Sequence, residues 1–335
     1  MKDITRVLIE TTLRKALKDM KDSPARSARN LIDLGLEFAK GRFHKRFLKV
    51  ASDMLKNKKS SYYDLIQDTV SNVDTEKLIT FGCNVGYNSC TFGANKIREI
   101  EKDEGFNIPW SIYLEMSGNE YIKKQDEYRS IIKQGEELGV YTWFVFVLDN
   151  PINIINLFSD FPDSAFIMLS PAMHITEKVV EEISRCSNLL TAVEYTEETE
   201  TVCKTLREKK LPYSVYVTYS QEDVDLITGG NLLSGTEGLR PVFTAMISDS
   251  SCSKQAQKKI YEYVAQTREN QEYHTIPWDL IYDSRFVDSV ISEDDCLVAF
   301  DLKGQLINLP DKTSHSDYNI FSYKLKDILK FNFKK

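Results

Sequence analysis

The chain has 335 residues, of which 42% are hydrophobic and 28% are charged, which excludes a disordered or fibrous protein. No apolar run approaches the ~20 residues that a membrane helix needs, and the amphipathic N-terminal residues do not form a signal peptide pattern. The net charge is −7, and six scattered cysteines predict reduced thiols in a cytoplasmic protein.

Basic residues are concentrated in the N-terminal part of the chain. Residues 1–75 carry sixteen Lys and Arg against ten Asp and Glu, so the other residues hold a net charge of −13. This part is either a docking face for an acidic partner, a leader peptide or nucleic acid, or a solvated helical surface. The second interpretation is favoured, because the basic residues alternate with apolar ones at helical spacing. No RRM, helix-turn-helix or paired zinc motif indicates nucleic acid binding.

Residues 1–75 are predicted to form an N-terminal helical region. Apolar residues recur there at helical spacing, and Ser23-Pro24 is typical of a helix start with proline in the first turn. A break is predicted near Gly41. The predicted helices cover residues 4–20, 24–40, 42–56 and 62–73.

Strands and helices then alternate through residues 76–275. A short apolar run at 78–82 is predicted to be the first strand, followed by a loop with Cys83 and Cys90 and by a helix from about Ala94. Such alternation predicts an α/β fold with a parallel sheet, forming a partial or full TIM-type (β/α) barrel. The predicted strands are 78–82, 111–117, 140–148, 164–169, 189–195, 213–219 and 241–248.

Residues 276–335 are predicted to form a small C-terminal appendage. Residues 296–309 predict a hairpin with its turn at Lys303-Gly304, where glycine permits a positive φ. A terminal helix is predicted over 318–333.

The loop from Cys83 to Cys90 resembles the cluster loop of the radical SAM superfamily. In that loop three cysteines spaced C-x3-C-x2-C hold a 4Fe-4S cluster. Here Cys83 matches the first position and Cys90 the third, but Tyr87 stands at the middle one. A phenol is a hard and poor replacement for a soft thiolate. The resemblance therefore implies a degenerate member, in which Cys83 and Cys90 are metal ligands only if a cluster is bound.

The same resemblance implies sites for S-adenosylmethionine at the strand ends. Ser117 and Gly118 match the glycine positions of the family's G-G-E-P turn, while Ser170 and Glu194 end later strands where the family contacts the cofactor. The alternative interpretation is that Ser117 and Gly118 only form a good turn before a helix. His174, which follows the fourth strand, is a further candidate ligand or base.

The C-terminal hairpin resembles the extension of radical SAM enzymes that modify peptides. Cys296 stands before the hairpin, but no cysteine follows it, so the usual ligands of an auxiliary cluster are missing.

The sequence therefore predicts a degenerate radical-SAM-like barrel, non-catalytic or accessory, that binds a peptide or protein partner without a cofactor, nucleic acid or membrane. One alternative is an active radical SAM enzyme that modifies a peptide, with an atypical 4Fe-4S cluster completed by His174 or Cys252 and with S-adenosylmethionine. Another is a barrel hydrolase or lyase using Glu115 and Glu194.

Overall fold

A ten-stranded sheet forms the centre of the molecule, in a computed structural model that describes residues 4–38, 42–292, 294, 296–309 and 313–335. The predicted break near Gly41 lies outside these residues. Within them, no helix combines the length and the apolar character needed to cross a membrane.

Seven parallel strands make up most of the sheet, and a C-terminal group of three extends it beyond β1. The order across the sheet is β10-β9-β8-β1-β2-β3-β4-β5-β6-β7. The strands are β1 Ser111–Met116, β2 Thr142–Val147, β3 Ala165–Ser170, β4 Leu189–Glu194, β5 Tyr213–Tyr219, β6 Phe243–Ser248, β7 Ile276–Asp279, β8 Val298–Phe300, β9 Gln305–Ile307 and β10 Ser314–Asn319.

Strands β1 to β7 lie side by side in chain order. Helices connect the end of each strand to the start of the next. The sheet is open, because β7 does not pair with β10. This arrangement confirms the predicted α/β fold as a partial barrel. The helices are α1 Ile4–Met20, α2 Pro24–Phe38, α3 Arg42–Met54, α4 Tyr62–Asn72, α5 Thr75–Cys83, α6 Ala94–Glu104, α7 Gly118–Tyr121, α8 Gln125–Leu138, α9 Ile155–Asp160, α10 Glu177–Ile183, α11 Thr199–Glu208, α12 Val224–Thr228, α13 Asn231–Glu237, α14 Lys254–Asn270, α15 Leu280–Ser292 and α16 Leu325–Asn332.

One face of the sheet is covered by the connecting helices. Trp143 of β2 is fully buried against Gly135 of α8, where a Cβ atom would overlap the indole ring. Phe166 of β3 stacks on Phe158 of α9 with ring centroids 4.7 Å apart. We call this the outer face, and the strand residues between these positions point to the opposite, inner face.

Helix α15 crosses the inner face from the end of β7 to the start of β1. The Tyr113 hydroxyl donates to Ser284 Oγ at 2.5 Å, and the Trp110 backbone N–H donates to Asp288 Oδ1 at 2.9 Å. At the end of α15, Ser292 Oγ donates to the Ile108 carbonyl at 3.2 Å. The helix therefore fills the part of the inner face between the two ends of the parallel strand series.

The predicted first strand at 78–82 is wrong. These residues belong to α5, whose N-cap residue Asp74 accepts hydrogen bonds from the backbone N–H groups of Glu76 and Lys77 at 2.9 and 3.1 Å. Helix α5 continues through a π-helix, Asn84–Gly93, into α6. A charged cap and acid in the first turn outweigh the apolar character of four residues.

The C-terminal hairpin is confirmed as β8 and β9, with Gly304 at φ +80° in its turn. The predicted terminal helix begins later than expected, because residues up to Asn319 form β10. Strand β7 and helix α15 were not predicted. The division into 1–75, 76–275 and 276–335 stays a prediction, and β7 to β9 join the same sheet as β1 to β6.

Candidate functional site

The carboxyl ends of β1 to β7 meet at one edge of the sheet, which we call the carboxyl edge. Loops at such an edge usually carry the functional residues of parallel α/β proteins, because rigid strands hold them in place. Ser117, Asp149 and Glu194 lie there, at the ends of β1, β2 and β4.

At this edge, the turn after β1 forms several hydrogen bonds to the side chain of Asp149. The carboxylate of Asp149 accepts hydrogen bonds from Ser117 Oγ at 2.6 Å, from the Gly118 backbone N–H at 2.5 Å and from Asn119 Nδ2 at 3.0 Å. Ser117 also caps α7 by accepting from the Glu120 N–H at 3.2 Å. A half-buried carboxylate is therefore fixed at the junction of β1 and β2.

Gly118 allows this turn to approach the next loop closely. A Cβ atom at this position would overlap the carbonyl oxygen of Asn150. Asn153 Nδ2 in turn donates to the Gly118 carbonyl at 3.1 Å. A residue larger than glycine would push the two loops apart, so the glycine is needed for the geometry around Asp149.

The structure separates the other two predicted cofactor residues. Ser170 is fully buried, and the strand alternation puts it on the outer face with Phe166. Glu194 lies on the inner face of the neighbouring strand and is half-buried. Burial and, second, the nearby Glu194 carboxylate raise the pKa of Tyr216 on β5. Ser117, Gly118 and Glu194 thus lie at one edge, and Ser170 points away from the inner face.

Aromatic residues line the inner face below this edge. Tyr113 and Phe144 stack with ring centroids 4.7 Å apart, and Phe146 follows 6.4 Å from Tyr113. Phe146 and Trp278 remain only partly buried, although they pack against the core. The inner face therefore offers an apolar surface that leads to the carboxylates of the carboxyl edge.

Cys83 and Cys90 lie at the opposite, amino end of the sheet. Between them, Asn84 donates to the carbonyls of Pro162 and Ser164 at 2.8 and 2.9 Å, directly before β3. A six-residue strand is about 20 Å long, so about 20 Å separates the two cysteines from the carboxyl edge. The prediction that both cysteines lie on a loop at the barrel mouth is therefore wrong, and Tyr87 lies in the same π-helix.

The residues present do not fit a 4Fe-4S cluster at the carboxyl edge. Both thiols are buried, and burial raises the pKa of Cys90 to about 12, which favours the neutral thiol over the thiolate that iron binds. Cys252 follows β6 at the carboxyl edge and donates its thiol to the Tyr219 carbonyl at 3.5 Å, so it does not complete a site with Cys83 and Cys90. No group of three or more His, Cys, Asp or Glu in the described part of the chain is arranged to hold a metal ion.

Sequence reasoning missed Asp149 and Asn153. Asp149 opens an Asp-Asn-Pro stretch after β2 that predicts a turn, and Asn153 follows that stretch by two residues. Their location after a buried strand could have identified them as candidates from the sequence. Their contact with Gly118 could not be predicted, because Gly118 follows the neighbouring strand.

The sequence matches no protein-family model and no curated protein. Comparison with solved structures does identify the class of fold. The chain shares its fold with the solved structures of Streptococcus suis SuiB, in agreement with the partial barrel predicted from the sequence.

Among the similar structures are three of SuiB. SuiB bound to S-adenosylmethionine has a TM-score of 0.51 at 11% identity, covering 70% of this chain and 67% of SuiB. SuiB bound to its precursor peptide SuiA gives 0.52 at 10% identity, covering 70% and 68%. A third SuiB structure gives 0.51 at 10% identity, covering 90% and 78%.

These structures correct one prediction from the sequence. The prediction of no cofactor is contradicted by SuiB, a protein of the same fold that was crystallised with S-adenosylmethionine.

Proposed function

We propose that this chain binds S-adenosylmethionine at the carboxyl edge of its sheet and a peptide over the inner face. The observation that carries the proposal is the pair of half-buried carboxylates at that edge, Asp149 and Glu194. S-adenosylmethionine has an ammonium and a sulfonium cation, and carboxylates in a partly desolvated site attract both. SuiB, crystallised with S-adenosylmethionine and with a precursor peptide, supports the pairing of the two ligands on this fold.

Asp149 is suited to bind the ammonium group. A carboxylate has about four lone-pair positions, and the donors of the turn after β1 use three of those on Asp149. The remaining position on Oδ1 accepts one further donor without disturbing the turn. Asn119 stands where the G-G-E-P turn has its glutamate, so the turn itself has no acid at that position. Asp149 supplies a carboxylate there from the end of β2.

The aromatic inner face is suited to the apolar parts of both ligands. Phe146 and Trp278 are half-buried there, and Tyr216 lies beside Glu194. Aromatic rings bury large areas at low entropic cost and stack on nucleobases and on peptide side chains.

This arrangement brings S-adenosylmethionine next to a peptide, as a peptide-modifying enzyme requires. The comparisons support that alternative better than the non-catalytic interpretation. The cysteines do not fit an iron–sulfur cluster at this edge, so the proposed role of this edge is to hold the two ligands side by side.

Calorimetric titration with S-adenosylmethionine and with S-adenosylhomocysteine tests the proposal. Glu194→Gln is expected to weaken binding of S-adenosylmethionine by about tenfold, or about 1.4 kcal/mol. Binding of S-adenosylhomocysteine is expected to stay unchanged, because that ligand lacks the sulfonium charge. Asp149→Asn is expected to weaken both ligands, because both carry the ammonium group. Glu177→Gln on the exposed start of α10 is the matched control.

Failure of both ligands to bind the wild-type chain would reject the cofactor half of the proposal, as would equal affinities of Glu194→Gln and Glu177→Gln. The peptide half is tested by probing a peptide array with the labelled chain. Selective binding that Phe146→Ala weakens supports it, and the absence of any selective binding rejects it.

A further inference from the structure

The basic N-terminal region contains a cleft of about 280 Å³ that the proposed function does not use. The cleft lies between α2 and α3, and its apolar lining is formed by Ile32 and Leu55. Three cations, Arg29, Lys56 and Lys58, surround these two side chains. The lining therefore matches a ligand that joins an aliphatic group to anionic groups.

Two of these cations have no partner within the described chain. Lys56 donates to Asp53 at 2.6 Å, so its charge is already balanced. Arg29 and Lys58 are exposed, and neither forms an ion pair or a side-chain hydrogen bond with any residue that the structure describes. The remainder of the chain is strongly acidic, yet its described carboxylates leave these two cations free.

We propose that this cleft binds an acidic amphipathic peptide segment of a partner protein. An aliphatic side chain of the partner would contact Ile32 and Leu55, while its carboxylates would pair with Arg29 and Lys58. Ser52 and Asp33, which also line the cleft, offer a hydroxyl and an acceptor for peptide N–H groups. This arrangement combines an apolar anchor with charged groups at its rim, as peptide-binding grooves do.

A peptide fits the cleft better than an anionic membrane surface does. The site is concave, whereas helices that bind membranes present a convex apolar face between basic residues. The surplus of basic residues in 1–75 attracts an acidic partner at long range, and this attraction weakens with salt.

The cleft is separate from the proposed ligand site at the carboxyl edge. Helix α2 contacts α1 and α4, while α3 contacts α2, α15 and the π-helix, so both belong to the helical region at the amino end of the sheet. The two proposals can therefore fail independently.

Fluorescence anisotropy on the full chain tests the proposal, with a short labelled peptide of glutamate and leucine at helical spacing as the probe. The double variant Arg29→Gln, Lys58→Gln is expected to bind this probe at least tenfold more weakly than the wild type. The matched control is Lys15→Gln, Lys18→Gln, which removes the same charge from exposed positions of α1 and is expected to bind normally. A probe with glutamine in place of glutamate is expected not to bind, and circular dichroism melts check that both variants fold.

Three outcomes would overturn the proposal. The first is equal loss of binding in the cleft variant and the control variant, which would indicate general charge attraction. The second is equal affinity for the glutamate and glutamine probes. The third is binding to phosphatidylserine vesicles without binding to the glutamate probe, which would make the cleft a lipid site.

Discussion

Asp279 is a single residue whose surroundings determine its protonation. It lies at the end of β7 and is almost fully buried, and its Oδ1 accepts hydrogen bonds from the N–H groups of Ile281 and Tyr282 at 3.2 and 2.8 Å. Burial, more than any other cause, raises the pKa of Asp279 to about 7. The folded state therefore binds a proton that the unfolded state releases at a pH of about 4.

This difference predicts the pH dependence of stability. Because the folded-state pKa is raised, the free energy of unfolding falls as the pH rises from about 4 to about 7, by up to about 4 kcal/mol, and is level above that range. Asp279→Asn keeps an acceptor for the two N–H groups and removes the titration. Urea unfolding at pH 5 and pH 8 is expected to show a smaller difference in this variant than in the wild type. An unchanged difference, equal to that of the exposed control Asp126→Asn, would contradict the buried neutral carboxyl.

The thiols give a second prediction for individual residues. All six cysteines are buried. A thiol reacts with a disulfide reagent only when it is accessible and deprotonated. The native chain is therefore expected to react slowly, and all six thiols are expected to react after denaturation. Rapid modification of Cys83 and Cys90 in the native state would contradict their burial.

At the level of elements, the continuous helix from α5 through the π-helix to α6 joins the N-terminal region to the sheet. Asn84 is fully buried in it and links three segments, since it donates to Pro162 and Ser164 and accepts from Arg6 Nη2 at 3.0 Å. Lys77 donates to the carbonyls of Ser184 and Cys186, before β4. The helix thus satisfies backbone carbonyls at the amino ends of two strands.

Asn84→Ala is therefore expected to destabilise the chain by about 2–4 kcal/mol, because it removes the buried donor to the Pro162 and Ser164 carbonyls and the acceptor for Arg6. The free energy of unfolding in urea measures the effect. Asn30→Ala, at an exposed position of α2, is expected to change it by less than about 0.5 kcal/mol. Similar losses in the two variants would show that Asn84 does not hold the helix to the sheet.

These elements also show what the sequence could predict. Strands such as Thr142–Val147 were predictable, because a parallel strand buried on both faces is an apolar run between turns. Residues 78–81 have the same local character, but the Asp74 cap and the contacts of Asn84 make them helical. Strand β7 was missed because it has four residues, one of them proline. Ser117 and Gly118 were predictable from turn chemistry, whereas Asp149, from the next strand, depends on tertiary structure.

At the scale of the whole molecule, burial differs between the two regions. The sheet strands and the helices packed against them form the main hydrophobic core together, whereas α1 buries only Arg6 and Met20 among its described residues. Helices that bury little surface open at low free energy. Hydrogen exchange is therefore expected to be fastest in α1 and α2 and slowest in β1 to β4. Equal protection in both regions would contradict this division of stability.

The pairing of β8 with β1 has a consequence for synthesis on the ribosome. Strand β1 is made early, but the strand that covers its free side comes almost two hundred residues later, at Val298–Phe300. Until then the nascent chain exposes a bare row of N–H and C=O groups, the kind of edge at which chains aggregate. A cell that produces this protein must therefore shield its growing chain until the last strands leave the exit tunnel.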